Sequence, residues 1–437
     1  MWERFSFYGM RAILVLYLTR ETTAANPGLG WSNARALALY GWYTMLVYAM
    51  SIPGGILADR LLGQKKTVFL GGLFIVAGQF SLAASSAGAF YAGLVLLILG
   101  VGCLKPNIST MVGGLYRAND ARRDAGFTIF YIGINLGAFS APLLVGYVGE
   151  KISWHLGFAL AGIGMLLGQL VYLWGQRFLK DVGNFIRMQK TDAGEQKPLT
   201  KIEQDRILVL LISFIIVVIF WAGYEQAGGL MNLYTDQKID RVVLGYEIPA
   251  SVFQSLPALF VVLFGALVAA FWTRRQRRGK EVSALFKMAI GIMIMGSGFL
   301  MMSAAALQAD SGAKAMLIWL FFAYLLQVLG ELSLSPVALS FITKLAPARS
   351  ASIMMGIYFA ATGLGNKLAG LLGELATRAG EFEVFTLIFL FCLLIGLVLL
   401  VFFKKLSALT HGAEAIREEP AIENIALPAD GRTGVKG

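Results

Sequence analysis

Charge is scarce in this chain of 437 residues: 14% are Asp, Glu, Lys or Arg, against 57% hydrophobic. Water-soluble domains carry about 25% charged residues, so that class is excluded and a polytopic membrane protein is indicated. A mean hydropathy of +0.69 agrees. Cysteine is nearly absent. Cys103 and Cys392 both lie in apolar runs, which excludes a disulfide scaffold. The two histidines, His155 and His411, form no metal cluster, and no cofactor is implied. The phosphate-cradling pattern GxxxxGK[ST] does not occur, which argues against nucleotide-driven pumping. No nucleophile stands beside a base, so an enzyme is not indicated. A cleavable leader is not expected either, because the first apolar stretch carries Glu3, Arg4 and Arg11.

What the chain has is long apolar runs. Stretches of about 20 residues, the length that crosses a bilayer, predict twelve spans. They lie near 3–19, 36–58, 67–86, 89–115, 125–148, 156–178, 206–234, 248–272, 283–306, 314–343, 350–377 and 383–403. The loops support this number. Those after even-numbered spans hold Arg60, Lys65 and Lys66; Arg117, Arg122 and Arg123; Arg177, Lys180, Arg187, Lys190, Lys197 and Lys201. The later ones hold Arg274, Arg275, Arg277, Arg278 and Lys280; Lys344 and Arg349; Lys404 and Lys405. Loops on the other side hold at most two basic residues each. This alternation predicts that both termini are cytoplasmic. It also accounts for the net charge of +11 without nucleic acid as a partner.

The polar stretch 179–205 divides the spans six and six. The expected organisation is a bundle over 1–178, a cytoplasmic linker over 179–205, a second bundle over 206–405 and a disordered tail over 406–437. The expected fold class is an all-α membrane protein, with twelve transmembrane helices in two six-helix bundles of major-facilitator type. Small residues, as in GGILADRLLG (54–63) and NLGAFSAPLLVG (135–146), suit close helix contacts, although glycine is frequent in every membrane bundle.

Six spans carry polar or ionisable groups well inside. The first has Glu3, Arg4, Tyr8 and Arg11; at 100° per residue, Arg4, Tyr8 and Arg11 share a face. The second has Tyr48, with Tyr40 and Tyr43 nearer one end. Lys105 in the fourth is followed by Pro106 and Asn107, which should open the helix ladder. The fifth has Tyr131 and Asn135, four apart. The seventh has Trp221, Glu225 and Asn232 at nearly one azimuth, and the tenth has Gln327, Glu331 and Ser335. A single intramembrane charge can snorkel or tie two helices together, and Lys287 fits that reading. Lys367 is deep and unassigned. The set is harder to dismiss: Arg4, Arg11 and Lys105 fall in the first half, Glu225 and Glu331 in the second. A cavity between the halves would be cationic on one wall and anionic on the other, which suits a zwitterion. A di- or tripeptide, roughly 7–11 Å long, fits such a cleft. Without substrate, Arg11 or Lys105 could pair with Glu225 or Glu331, and protonating the carboxylate would break the pair.

These residues resemble the proton-dependent oligopeptide transporter family of the major facilitator superfamily over nearly all of 1–405. ERFSFYGMR (3–11) is similar to the second half of the family's E-x-x-E-R-F-x-Y-Y element. GGILADRLLG (54–63), CLKPNIST (103–110), FTIFYIGINLG (127–137), FWAGYEQAG (220–228) and GELSLSPV (330–337) follow in the family's order. The resemblance implies a proton-coupled symporter importing di- and tripeptides by alternating access. It implies a place in the cell (inner) membrane and function as a monomer, with peptides, protons and the lipid bilayer as partners. It implies that Arg11 and Lys105 bind the substrate carboxylate and Glu331 the ammonium. Tyr8, Tyr48, Tyr131, Asn135 and Ser335 would line the pocket, with Trp221 near the side-chain subsites. Glu225 would pair with Arg11 and Lys105 with Glu331 as gates, and Glu3 and Arg4 would serve proton coupling. Other anionic or zwitterionic solutes, such as nitrate or peptide-like drugs, and a non-transporting receptor remain alternatives. Three departures stand out. The family's first Glu would precede Met1, which leads us to expect a start at an internal methionine. Phe7 replaces a tyrosine. Pro257 in QSLPALF (254–260) stands where the family's S-L-N-P run has Asn.

Overall fold

The computed structural model describes residues 1–116, 122–185, 199–280, 282–347 and 351–413. In the first half run α1 Trp2–Thr19, α2 Asn33–Leu62, α3 Gln64–Leu82, α4 Ala87–Gly114, α5 Ala125–Lys151 and α6 Trp154–Leu179. The second half comprises α7 Lys201–Lys238, α8 Ala250–Arg277, α9 Ala284–Asp310, α10 Leu317–Leu345, α11 Ala351–Ala379 and α12 Glu381–Ala408. Each of the twelve expected spans falls on one of these helices. A short hairpin, β1 Val242–Val243 with β2 Tyr246–Glu247, lies between α7 and α8.

Local chemistry sets several boundaries. The Ser32 and Ser86 hydroxyls accept from the backbone N–H groups of Arg35 and Ala89, capping α2 and α4. Thr200 and Glu203 form a reciprocal capping box at the start of α7. Pro106 did not open α4 as expected: the helix continues through it, and Asn107 Nδ2 covers the Cys103 carbonyl at 2.7 Å.

Among the described residues, nine helices are long and apolar enough to cross a membrane by composition. The other three are α1, α3 and α11. α1 is short of apolar length because of Glu3, Arg4 and Arg11, yet it is the most enclosed helix: Ala12, Ile13, Leu14, Val15 and Leu18 are fully buried. Its charges therefore face protein, which is how they avoid the cost of bare charge in hydrocarbon.

Within the first half α3 packs on α4 and α1 on α5 and α6; within the second, α9 packs on α10 and α12. The halves meet chiefly along α2 with α11 and α5 with α8. At the α2–α11 crossing the backbones touch: a Cβ on Gly41 would sit 2.9 Å from Gly370 Cα. Only glycine permits that approach. More ties lie on the face opposite the termini, where Arg20 pairs with Asp236 at 3.5 Å and Asn33 bonds Gln237 at 3.3 Å.

At the terminal face, residues 179–185 fold back beneath the α2–α3 turn, with Lys65 N donating to Gly183 O at 2.9 Å. Residues 409–413 are also docked rather than loose. Thr410 O accepts from Arg206 Nε at 3.0 Å, and His411 lies 2.7 Å from Asp205. The rest of the linker and tail, 186–198 and 414–437, and with them Arg187, Lys190 and Lys197, lie outside the described residues, as do Arg117 and Arg349.

Candidate functional site

The site begins with a break in α7. The α-helix ends at Tyr224, a single 3-10 turn spans Glu225–Gly228, and the α-helix resumes at Leu230. Gln226 fixes this break: its Nε2 donates to Ala222 O and to Ala369 O on α11, both at 3.0 Å. The turn points the Glu225 carboxylate at the first bundle.

There it meets Arg11. Glu225 Oε2 lies 3.0 Å from Arg11 Nη2, and Tyr40 on α2 closes the group. Arg11 Nε donates to the Tyr40 hydroxyl at 2.8 Å, and that hydroxyl donates to Glu225 Oε2 at 3.0 Å. All three are buried. A desolvated ion pair is tolerable only when its remaining donors and acceptors are matched, and Tyr40 does the matching. Gly228 leaves the space, because a Cβ there would overlap the Tyr40 hydroxyl and the Arg11 guanidinium. The expected Arg11–Glu225 pair is present. Its third member was missed in the sequence: Tyr40 reads as an end-of-span tyrosine, and nothing in its spacing links it to Glu225.

Beside this triad, between the halves, lies a cavity of about 160 Å³, with room for about five waters. Tyr8, Arg11, Tyr48, Tyr131 and Asn135 line it from the first half. Trp221, Glu225 and Glu331 line it from the second. Eight sequence-predicted residues are thus brought to one place. Arg11 also lies 5.5 Å from the Tyr8 ring centre, and Asn135 is held by donation to Tyr131 O at 3.0 Å. Gln254, Pro257, Ala258 and Val261 of α8 complete the far wall. Pro257, the departure from the S-L-N-P run, therefore faces the cavity and supplies no donor there.

Other expectations need correction. Lys105 does not pair with Glu331. Its ammonium sits 3.6 Å from the centre of the Tyr48 ring, behind the cavity wall, where the π-face replaces the anion. Glu331 instead accepts from the Tyr224 hydroxyl, a short bond within the second half. Ser335 does not line the cavity, and its buried Oγ has no hydrogen-bond partner among the described residues. Arg4 pairs with Glu3 at 3.3 Å rather than reaching the cavity. Asn232 turns away: the 3-10 turn shifts its azimuth, and Nδ2 donates to Ala12 O at 2.8 Å, tying α7 to α1. Gln327 donates to Met231 Sδ at 3.2 Å. Lys367, unassigned from sequence, stacks 4.5 Å from the Trp42 ring centre. Tyr224 was missed although it adjoins Glu225.

Twelve helices in two halves, enclosing a charged cavity between them, define a multi-pass membrane protein of the major-facilitator fold. The chain belongs to the POT family, whose model matches residues 65–192 and 182–388. It is 38% identical to the uncharacterised transporter YclF of Bacillus subtilis (strain 168), over 92% of this chain and 91% of that one. A di-/tripeptide transporter of Lactococcus lactis subsp. lactis (strain IL1403) is 34% identical, over 93% of this chain and 94% of its own length. Among solved structures, a peptide transporter POT variant in complex with alafosfalin superposes with a TM-score of 0.88, at 34% identity over 93% of both chains.

Proposed function

We propose that this chain is a proton-coupled symporter that imports di- and tripeptides by alternating access. One observation carries the reading. Arg11 is held across the interface by Glu225 and Tyr40, at the wall of a cavity that presents a second carboxylate, Glu331. A peptide brings one carboxylate and one ammonium and can replace both internal partners. Its carboxylate would take Arg11 from Glu225, and its ammonium would bind Glu331. Protonation of Glu225 would remove its hold on Arg11 and so prepare the cation for substrate, which is the coupling step in this reading. Lys105 would be the second cation once it leaves the Tyr48 ring, and the Glu3–Arg4 pair would assist proton transfer. The names of the Lactococcus relative and of the alafosfalin complex support a peptide-like substrate.

The membrane is the cell membrane, with the terminal face cytoplasmic. Lys65, Lys66, Arg177, Arg274, Arg275 and Lys405 gather at that face, as the positive-inside rule requires. In this reading the single chain is the transport unit. A competition assay tests the substrate class: unlabelled di- and tripeptides should suppress uptake of a labelled dipeptide into proteoliposomes, and single amino acids and nitrate should not. Suppression by nitrate with none by tripeptide would overturn the assignment.

A further inference from the structure

On the face opposite the termini, Glu150 near the end of α5 caps a helix that belongs to the other half. Its carboxylate accepts from Ala250 N at 3.1 Å and Ser251 N at 2.7 Å, and from the Ser251 hydroxyl as well. These are the first residues of the 3-10 turn Ala250–Ser255 that opens α8. A helix start carries unmatched N–H groups and a partial positive charge, and a carboxylate satisfies both. Helices ordinarily take such a cap from the residue just before them. Here that residue is Pro249, which has no side-chain acceptor, and the cap arrives from across the cleft.

The group that delivers it is held firmly. Asn26 donates to Gly149 O at 2.7 Å and accepts from Trp154 N at 3.3 Å, fixing the end of α5. The helix that receives it forms part of the site, since Gln254, Pro257, Ala258 and Val261 of α8 line the cavity. The charges around this contact are already matched, with Lys151 3.9 Å from Glu247, Arg241 3.0 Å from Glu247 and Arg20 3.5 Å from Asp236. None of those pairs reaches the α8 N-terminus.

We propose that Glu150 is a positioning residue of the transport site. Its cap across the halves seats the α8 wall of the cavity while this face is closed, and releases that wall when the ends of α5 and α8 part. The inference rests on the transport reading for its purpose, but its geometry can be tested without substrate. α8 would thus be least well capped in the open state, so that closing this face and ordering the cavity wall are one event.

The test uses the full chain in proteoliposomes with Cys103 and Cys392 replaced by alanine. Spin labels go at Ile152→Cys and Leu244→Cys, two exposed positions beside α5 and in the hairpin before α8. Glu150→Ala should raise the long-distance population several-fold and weaken peptide binding several-fold. Glu150→Gln should do the same to a smaller degree. Adding Pro249→Asp to Glu150→Ala gives α8 a cap from its own half, since Pro249 already has the extended backbone of an N-cap, φ −55° and ψ 139°. That double variant should recover peptide affinity and thermal midpoint but keep the long distances. An unchanged distance distribution in Glu150→Ala would overturn the proposal. So would recovery of the short distances in the double variant, which would make Glu150 a stabilising cap and no more. Because the distances need no substrate, a carrier of some other solute would still show them.

Discussion

Arg11 on α1 and Glu225 in the broken segment of α7 lie 3.0 Å apart, buried, and belong to different halves of the molecule. The halves therefore cannot separate at this level without stranding two charges. Removing one partner of a buried pair costs about 3–5 kcal/mol, far more than an exposed pair contributes. An incoming group that offers Arg11 another carboxylate offsets that cost.

Tyr40 should be the weakest point of the triad to probe, because its removal strands no net charge. Tyr40→Phe deletes one acceptor for Arg11 and one donor to Glu225, and about 1–3 kcal/mol of stability should go with them. Thermal unfolding of the purified protein should show the loss. An unaltered midpoint would mean that the hydroxyl is not needed to match the pair.

Gly228→Ala should act on the same group from the other side. The added methyl overlaps the Tyr40 hydroxyl and Arg11, a strain of about 1–3 kcal/mol. Gly55→Ala, where nothing lies within 4 Å, is the matched control and should be neutral. Equal midpoints for the two variants would contradict the packing described.

Gln226→Leu should disturb the α7 break itself. It removes the Gln226 donor from the Ala222 and Ala369 carbonyls, at about 0.5–1.5 kcal/mol each. Uptake should fall because Glu225 is no longer aimed at Arg11. Wild-type uptake together with wild-type stability would show that the turn holds without this staple.

Glu331→Gln removes the charge expected to receive the substrate ammonium. Uptake of dipeptides with a free amino terminus should drop at least about tenfold, equivalent to about 1.4 kcal/mol, and amino-blocked peptides should lose less. Equal losses for both would assign Glu331 to coupling rather than to recognition.

The sequence and the structure agree most where one-dimensional signals suffice. Apolar length and the alternation of Lys and Arg loops place all twelve helices, and four of the six short motifs bring seven residues to the cavity, with Tyr48 of the second span as the eighth. Agreement ends where a helix is interrupted. The azimuth argument for Trp221, Glu225 and Asn232 assumed an unbroken helix, and the 3-10 turn at Glu225 sends Asn232 to α1 instead. Pairing was equally hidden. Lys105 and Glu331 are complementary in charge, but Lys105 has a closer partner in the Tyr48 ring and Glu331 in Tyr224. Such choices depend on which face of the protein is closed, and no residue spacing records that.

The most direct test of the central claim is dipeptide uptake into proteoliposomes under an imposed pH gradient. Acidifying the outside should accelerate uptake and drive accumulation above the external concentration, and a protonophore should abolish both effects. Uptake that reaches only equilibrium and ignores the gradient would contradict proton-coupled symport.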